Sequence, residues 1–363
     1  SGIVNNGTLE FNRAGTFTFG NVISSYGNIV KNGPGTQILT GDNTSSGPIT
    51  LNAGTLQVGN GGSTGSLGTS SVTNDASLVF NRSAAFTVGG AISGTGSVSQ
   101  TGTGAVTLSG FNSYSGGTSI IPGGTILIGG NNALGTGTLT LSNGAILGTN
   151  PGGALPNAIV AHAATTSTVT TNGGNLSLNG NLSGSGNINR TAIGAPASVY
   201  LGGDNSGFTG VFTIENNAAA ATRITSASAG SANARWVNSN PTSGRVTAEF
   251  GDGTVQFGSL TGTGFFSATL GNATIQVVNL GLNEMYAGVL NQGGTGTLSV
   301  TKVGSGTWTL TGANAYTGAT TVNGGVLAVD GDAIPNAGKL VINGGKVDLT
   351  GVEVVDKLYF GAV

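Results

Sequence analysis

The stretch GSGTWTLTGANAYTGATTVNGGVLAVDG, Gly304 to Gly331, decides how the chain is read. It holds three short apolar runs, Trp308 to Leu310, Ala319 to Val322 and Val326 to Val329, each cut off within a few residues by glycine, asparagine or threonine. Runs of that length with that punctuation are strands joined by turns. The same text recurs as GTGAVTLSGFNSYSGGTSIIPGGTILIG from Gly102 to Gly129 and as GPGTQILTGDNTSSGPITLNAGTLQVG from Gly33 to Gly59, with a worn copy from Ala195 to Glu215. One building block is reused along the chain.

Working outward, Thr8 to Gly54 lies on Ser77 to Gly123 at a constant offset of 69 residues: Phe11 on Phe80, Arg13 on Arg82, Phe17 on Phe86, Gly41 on Gly110, Asn43 on Asn112 and Gly47 on Gly116. A fixed period without insertion is a duplication, and its copies share one backbone. Inside the module the apolar runs come about every ten residues. Short strands at that spacing make a sandwich, a propeller or a solenoid, and here the turns favour the solenoid. Hairpin sheets use two-residue primed turns, whereas a solenoid bends at glycine, asparagine and serine corners and stacks each coil on the last. At about 23 residues per coil the module is three coils and the chain about 16, a rod near 75 Å at roughly 4.8 Å per coil. Asn-Gly pairs at Asn6, Asn32, Asn143, Asn172, Asn179, Asn323 and Asn343 read as corners with positive φ. Residues 1–214 and 250–363 read as solenoid, the latter with a closing segment, and 215–249 as an irregular insertion looping out from it.

Composition supports an all-β chain. Glycine supplies 69 of 363 residues and charged residues only 7%, so amphipathic helices with charged faces have no material to form from. Hydrophobic residues still make up 37%, in regular β-branched runs that disordered chains lack. The net charge is -2 and the basic residues are scattered singly, which excludes a phosphate-binding patch and hence a nucleic-acid partner. With no cysteine there is no disulfide scaffold, thiolate metal site or cysteine nucleophile. There is no 18-residue apolar run, so membrane insertion by this chain is not expected. The start, SGIVNNGTLEF, has no secretory signal pattern, the reading of a chain that begins after processing or inside a longer polypeptide.

Chemistry has few candidates. The one histidine, His162, stands in an Ala/Thr-rich segment with no acidic neighbour, an incidental histidine more than a triad member. A glycosidase needs two carboxylates at a set separation, for which Glu249, Asp252 and Asp204 are the residues to test. Asp42 and Asp204 share a repeat position with Phe111 and Ala313, which reads as a solvent-side turn site. Asp330 with Asp332 is a further local pair in a glycine-flanked turn. No catalytic residue, cofactor or metal is expected. Asn43, Asn112 and Asn314, alike in repeat position, read as members of an asparagine ladder. Tyr114, Phe208 and Tyr316 sit in the adjoining turns, either packing the corners or forming an aromatic row for sugar rings.

The residues Gly304, Gly306, Trp308, Leu310, Gly312, Asn314, Tyr316, Gly318, Thr320, Val322, Gly324, Gly325 and Leu327 closely resemble the autotransporter-associated β-strand repeat, also called the passenger-associated transport repeat. Gly110, Asn112, Tyr114 and Gly116 carry the same pattern in the second copy, and Gly41, Asn43 and Gly47 a looser one in the first. The resemblance implies a right-handed parallel β-helix displayed at the surface of a Gram-negative bacterium as stalk, adhesin or coat. No membrane β-barrel follows in this sequence, and Gly351 to Val363 reads as a closing segment. The expected function is therefore extracellular and structural or adhesive, with head-to-tail self-association through terminal strand edges, or other surface proteins or polysaccharide, as partners. The rival is a carbohydrate-binding or polysaccharide-cleaving β-helix, recognisable by acidic residues converging on one face.

Overall fold

A computed structural model of the chain describes residues 2–128, 130–149, 152–215, 221–239, 245–278 and 280–361. Among the described residues, apart from one short 3-10 turn, Ala227–Ala229, the regular elements are strands, and their pairings are parallel. Parallel strands usually lie in sheets buried on both faces. Here they alternate instead: Ser97–Gln100 and Thr125–Ile128 each bury every second side chain, because each sheet covers the core on one side and meets water on the other. The fold is a β-solenoid, and it divides into two compact units, Ser1–Leu176 and Ser177–Val363.

In the first unit the strands fall mainly into four sheets. Gly2–Val4 and Val22–Ser24 begin the first. Thr8–Phe11, Asn28–Lys31, Ile49–Leu51, Val72–Asn74 and Ile92–Ser93 form the second. The third runs from Thr16–Phe19 through Ser77–Phe80 and Ser97–Gln100 to Ile159–Ala161. Partners stack one turn apart, as in Phe17↔Gln37, Gln37↔Leu56, Leu56↔Leu78 and Leu78↔Val98. A turn is thus mostly about 20 residues, with 23 at Ile49↔Val72, and not uniformly the expected 23.

That shorter turn changes the meaning of the duplication. Leu9 lies in the second sheet, but its counterpart Leu78 lies in the third. Ile29 of the second sheet likewise corresponds to Val98 of the third, and Phe17 of the third to Phe86, which has left that sheet for the one containing Ala105–Leu108. The 69-residue module is three turns plus one side, not three coils. Copies share one local backbone yet present it on successive sides.

In the second unit Val199–Leu201, Thr222–Ile224, Arg245–Ala248, Phe265–Ala268 and Leu290–Gln292 form one sheet. Another carries Val211–Ile214, Ser231–Asn238, Gly253–Gly262 and the strands that follow to Lys357–Phe360. The stretch 215–249, read from sequence as an insertion, contributes three of these strands in register: Thr222↔Val246 and Phe212↔Trp236↔Leu260 are stacked partners. Asn216 to Ala220, part of the stretch read as an irregular insertion, lie outside the described residues. Buried rings continue this column: Phe212 stacks on Trp236 at 4.6 Å, and Phe257 meets Trp236 edge-on at 5.1 Å.

Of the Asn-Gly asparagines, Asn143 alone takes the left-handed conformation, at φ 58°. The corner bend falls instead on glycines such as Gly325, φ 62°, one residue past Asn323-Gly324, because glycine enters that region without steric cost.

Candidate functional site

The repeat's most regular feature is an asparagine clamp. Asn43 accepts the Ile23 N–H at 2.7 Å and donates to the Ser66 carbonyl at 2.7 Å. Asn112 does the same between Ile92 N–H and Ala133 O, Asn205 between Leu182 N–H and Ala229 O, and Asn314 between Leu290 N–H and Ala333 O. Each amide therefore ties the turn before it to the turn after it, satisfying an N–H of a short strand in the one and a corner carbonyl in the other. The asparagines do not form a ladder: successive copies stand on different sides, so their amides never meet.

Gly41 and Gly110 precede the clamp closely, and a Cβ on either would stand 2.5 Å from a carbonyl oxygen of the preceding turn, Asn21 or Gly90. Gly312 occupies the same position in the third copy, and Gly47, Gly116 and Gly318 come four residues after the asparagine, also pressed on the preceding turn. Gly324 and Gly325 form the next corner, against Gly304. All these positions set backbone spacing.

Tyr114, Phe208 and Tyr316 are buried, so they pack the corner and offer no sugar platform. The Tyr114 and Tyr316 hydroxyls each meet a threonine four residues on, Thr118 or Thr320, at 2.6 Å. Burial raises both phenols above the usual tyrosine range. In the worn copy both partners change together: Phe208 packs edge-on against Phe212, 6.4 Å between centroids.

A second device escaped the sequence reading. Lys302 is buried, and its Nζ donates to the carbonyls of Val303, Gly304 and Gly324 at 2.7, 3.0 and 3.3 Å, spanning its own corner and the next. Lys31 reaches Gly33 and Ala53 in the same way, and Gln100 donates to Gly102 and Gly104 at 2.8 and 2.6 Å. Burial depresses both lysines, Lys302 to about 8. The signal was present as a polar residue two places before a glycine at the end of a strand, in KNG, QTG and KVG.

The candidate carboxylates do not converge. Glu249 is ion-paired with Arg223, Asp252 accepts the Asn272 N–H at 2.7 Å, and Asp204 accepts the Ser206 N–H at 3.0 Å. Glu353 accepts the N–H groups of Ala333 and Ile334 at 3.2 and 2.9 Å; burial and the charge of Asp332 push it up. His162 is exposed, its Nδ1 3.1 Å from the Ala163 carbonyl. Among the described residues no three His, Asp or Glu side chains are grouped to hold a metal, and no helix is long and apolar enough to cross a membrane.

One open groove lies within the second unit, about 400 Å³ in volume and lined by Asp204, Ser206, Ser228, Asn233, Thr254 and Gln256 among others. A bulge builds one wall. Ser231 pairs with Phe257 and Arg235 with Ser259, so this strand advances four residues while its neighbour advances two, which leaves Asn233 exposed at the bulge.

Comparison with known proteins agrees with this geometry. The passenger-associated-transport-repeat family profile matches residues 29–58, 98–128 and 300–329, each spanning a clamp asparagine. Over 54 residues the chain is 52% identical to the adhesin BmaC autotransporter of Brucella suis biovar 1 (strain 1330), covering 15% of this chain and 2% of that protein. No solved structure matches the chain.

Proposed function

Starting from a chain that carries three passenger-associated transport repeats, we propose that it is an extracellular, surface-displayed β-solenoid whose role is structural and adhesive rather than catalytic. The observation that supports this best is the coincidence of the three family matches with the clamped corners, together with local similarity to an autotransporter adhesin. The carboxylates support the non-catalytic part, since each is engaged separately by backbone or arginine. Antibody labelling of intact source cells tests the placement: labelling without permeabilisation is the expected result, and labelling only of opened cells refutes it.

The finer part of the proposal is head-to-tail self-association. Lys346–Thr350 and Lys357–Phe360 are almost wholly exposed, and Val352 and Phe360 stand 81% and 75% open. An apolar strand edge of that kind is a template for a parallel strand of a second copy. Electron microscopy is expected to show filaments that Phe360→Lys shortens or abolishes. Monodisperse particles of the unaltered protein at high concentration would end the self-association reading and leave the surface assignment standing.

A further inference from the structure

Two copies of the repeat place an aspartate directly before the clamp asparagine, and they use it differently. In the first unit Asp42 accepts the Gly65 N–H at 2.9 Å, and Ser66 Oγ donates to the Asn43 carbonyl at 2.7 Å. The loop that supplies these groups is Gly59–Gly65, seven uncharged residues between the strand Thr55–Val58 and Ser66. Arg82 fastens it from the next turn, donating to the carbonyls of Gly65, at 2.6 Å, and Ser63. Asp42, itself exposed, thus holds a glycine- and serine-rich segment of its own chain by one backbone N–H.

In the second unit the corresponding loop, between Thr222–Ile224 and the clamped Ala229, is only Thr225–Ser228, three residues shorter. Its Ser228 N–H turns inward to Ser226 Oγ at 3.2 Å, away from Asp204. In the other three clamps the residue after the asparagine donates to the preceding turn, Thr44 to Ile23 O, Ser113 to Ile92 O and Ala315 to Leu290 O. Ser206 instead gives its N–H to Asp204 Oδ1. The Asp204 carboxylate is therefore held by the N–H and the hydroxyl of Ser206 on its own turn and, exposed like Asp42, has the groove in front of it. On the groove walls Asn233 Nδ2 donates to Ser206 O at 3.1 Å and Gln256 Nε2 to Gln276 Oε1 at 2.5 Å, and each amide nitrogen has a second hydrogen.

The geometry points to a peptide-docking groove: the space bounded by Asp204, Ser228, Asn233 and Gln256 takes an extended, uncharged, glycine- and serine-rich polypeptide segment, whose backbone N–H is accepted by Asp204 as Gly65 N–H is by Asp42. Small residues suit an open groove of about 400 Å³. A backbone ligand suits the lining, a carboxylate to accept N–H and two amides to donate to carbonyls. Arg82 has no counterpart here: Phe250 stands at the matching place, two residues past the partner of Ile224, so an acidic segment finds no cation on that wall. The inference does not depend on the surface assignment above.

The test is titration of the ¹⁵N-labelled protein with the acetylated, amidated peptide Asn-Gly-Gly-Ser-Thr-Gly-Ser, the sequence of residues 60–66. Saturable shifts are expected at Asp204, Ser206, Ser228, Asn233 and Gln256. Asp204→Ala, at an exposed position, is expected to leave the unfolding midpoint unchanged while weakening binding by about tenfold, as loss of a charge-assisted hydrogen bond should. A Gly-Ser-Thr insertion after Ser226, which restores the longer loop in cis, is expected to abolish the shifts. Absence of a saturable shift, equal binding by Asp204→Ala, or displacement of the same amides by a neutral oligosaccharide but not by the peptide would each overturn the inference.

Discussion

The first unit and the wide part of the second, Ile188 to Trp308, solve the same packing problem at two sizes. Steps between stacked partners in the first unit are 19 to 23 residues, as in Gln37↔Leu56 and Ile49↔Val72. In the wide part they are mostly 24: Ile188↔Phe212, Phe212↔Trp236, Trp236↔Leu260 and Glu284↔Trp308. A longer turn encloses a wider interior, and close packing requires larger side chains to fill it. The narrow turns bury Ile, Leu and Val with an occasional ring, whereas the wide ones bury Phe212, Trp236, Phe257, Phe266, Tyr286 and Trp308. Trp308 also spends its Nε1 on the Leu260 carbonyl at 2.8 Å, two turns back. Turn length and core side-chain volume rise together.

The sharpest way to break that match is to empty the wide interior. Trp236→Ala removes a side chain in contact with two rings, and a cavity of that size should cost about 3–5 kcal/mol. Leu56→Ala in a narrow turn, where neighbours collapse onto a smaller gap, is expected to fall nearer about 2–3 kcal/mol. Denaturant unfolding of the two variants decides it; equal losses would mean that turn length does not govern packing.

The clamp is common to both regions and should therefore be indifferent to turn length. Asn112→Ala orphans Ile92 N–H and Ala133 O in a narrow turn, and Asn205→Ala orphans Leu182 N–H and Ala229 O in a wide one. Each should lose about 2–3 kcal/mol, the cost of unsatisfied buried groups. A difference beyond about 1 kcal/mol between the two in the same unfolding assay would show that the clamp carries more load in one region.

Much of this was legible in the residues, and the misses have physical causes. Glycine, asparagine and the repeat spacing gave strands, corners and their equivalence, because corner geometry is local. Turn length was misread because 69 divides evenly by three while the chain closes three turns and one side more. That is a tertiary fact with no local marker. The strands between Thr222 and Ala248 went unseen since no repeat motif covers them, although Phe212, Trp236 and Leu260 recur on a 24-residue spacing that marks one inward column. The clamp's second half was also missed: Ser66-Leu67, Ala133-Leu134 and Ala333-Ile334 are small-then-aliphatic pairs whose backbone, not side chain, is what Asn43, Asn112 and Asn314 bind.

Lys302 sharpens the comparison at the point where the wide turns give way to steps of 19 to 20 residues, as in Trp308↔Leu327 and Leu327↔Val347. Lys302→Met leaves its three carbonyls without the donor and should cost about 1–3 kcal/mol, whereas Lys302→Gln should be milder, since Gln100 fills the same role. The pH dependence has a definite sign. Burial lowers the folded-state value to about 8 from 10.5, so the unfolded chain binds more protons between those values and stability rises with pH across that window. Above about 10 the trend reverses, because burial holds the phenols of Tyr114, Tyr286 and Tyr316 protonated in the folded state while they ionise in the unfolded one. Unfolding midpoints from pH 7 to 9.5 should climb for the parent and less steeply for Lys302→Gln; parallel curves would remove Lys302 as the cause.

The smallest effect lies on the outside of the wide turns. Arg235 grips Glu284 with Nε at 2.8 Å and Nη2 at 3.2 Å, two turns away, passing over Ser259, which pairs with Arg235 in the intervening strand. The glutamate raises the Arg235 guanidinium through its hydrogen bonds. Such a reach needs a small residue between the partners and two donors in a fixed fork, so lysine is not equivalent. The arginine side chain is 40% open to solvent and the glutamate 11%, so the pair is partly solvated and contributes modestly even in good geometry. A double-mutant cycle of Arg235→Ala and Glu284→Gln should return a coupling of about 0.5–1 kcal/mol that shrinks in 1 M salt. Arg235→Lys should lose most of it. A coupling above about 2 kcal/mol that salt leaves untouched would instead make this pair part of the wide core's own stability, beside the aromatic side chains.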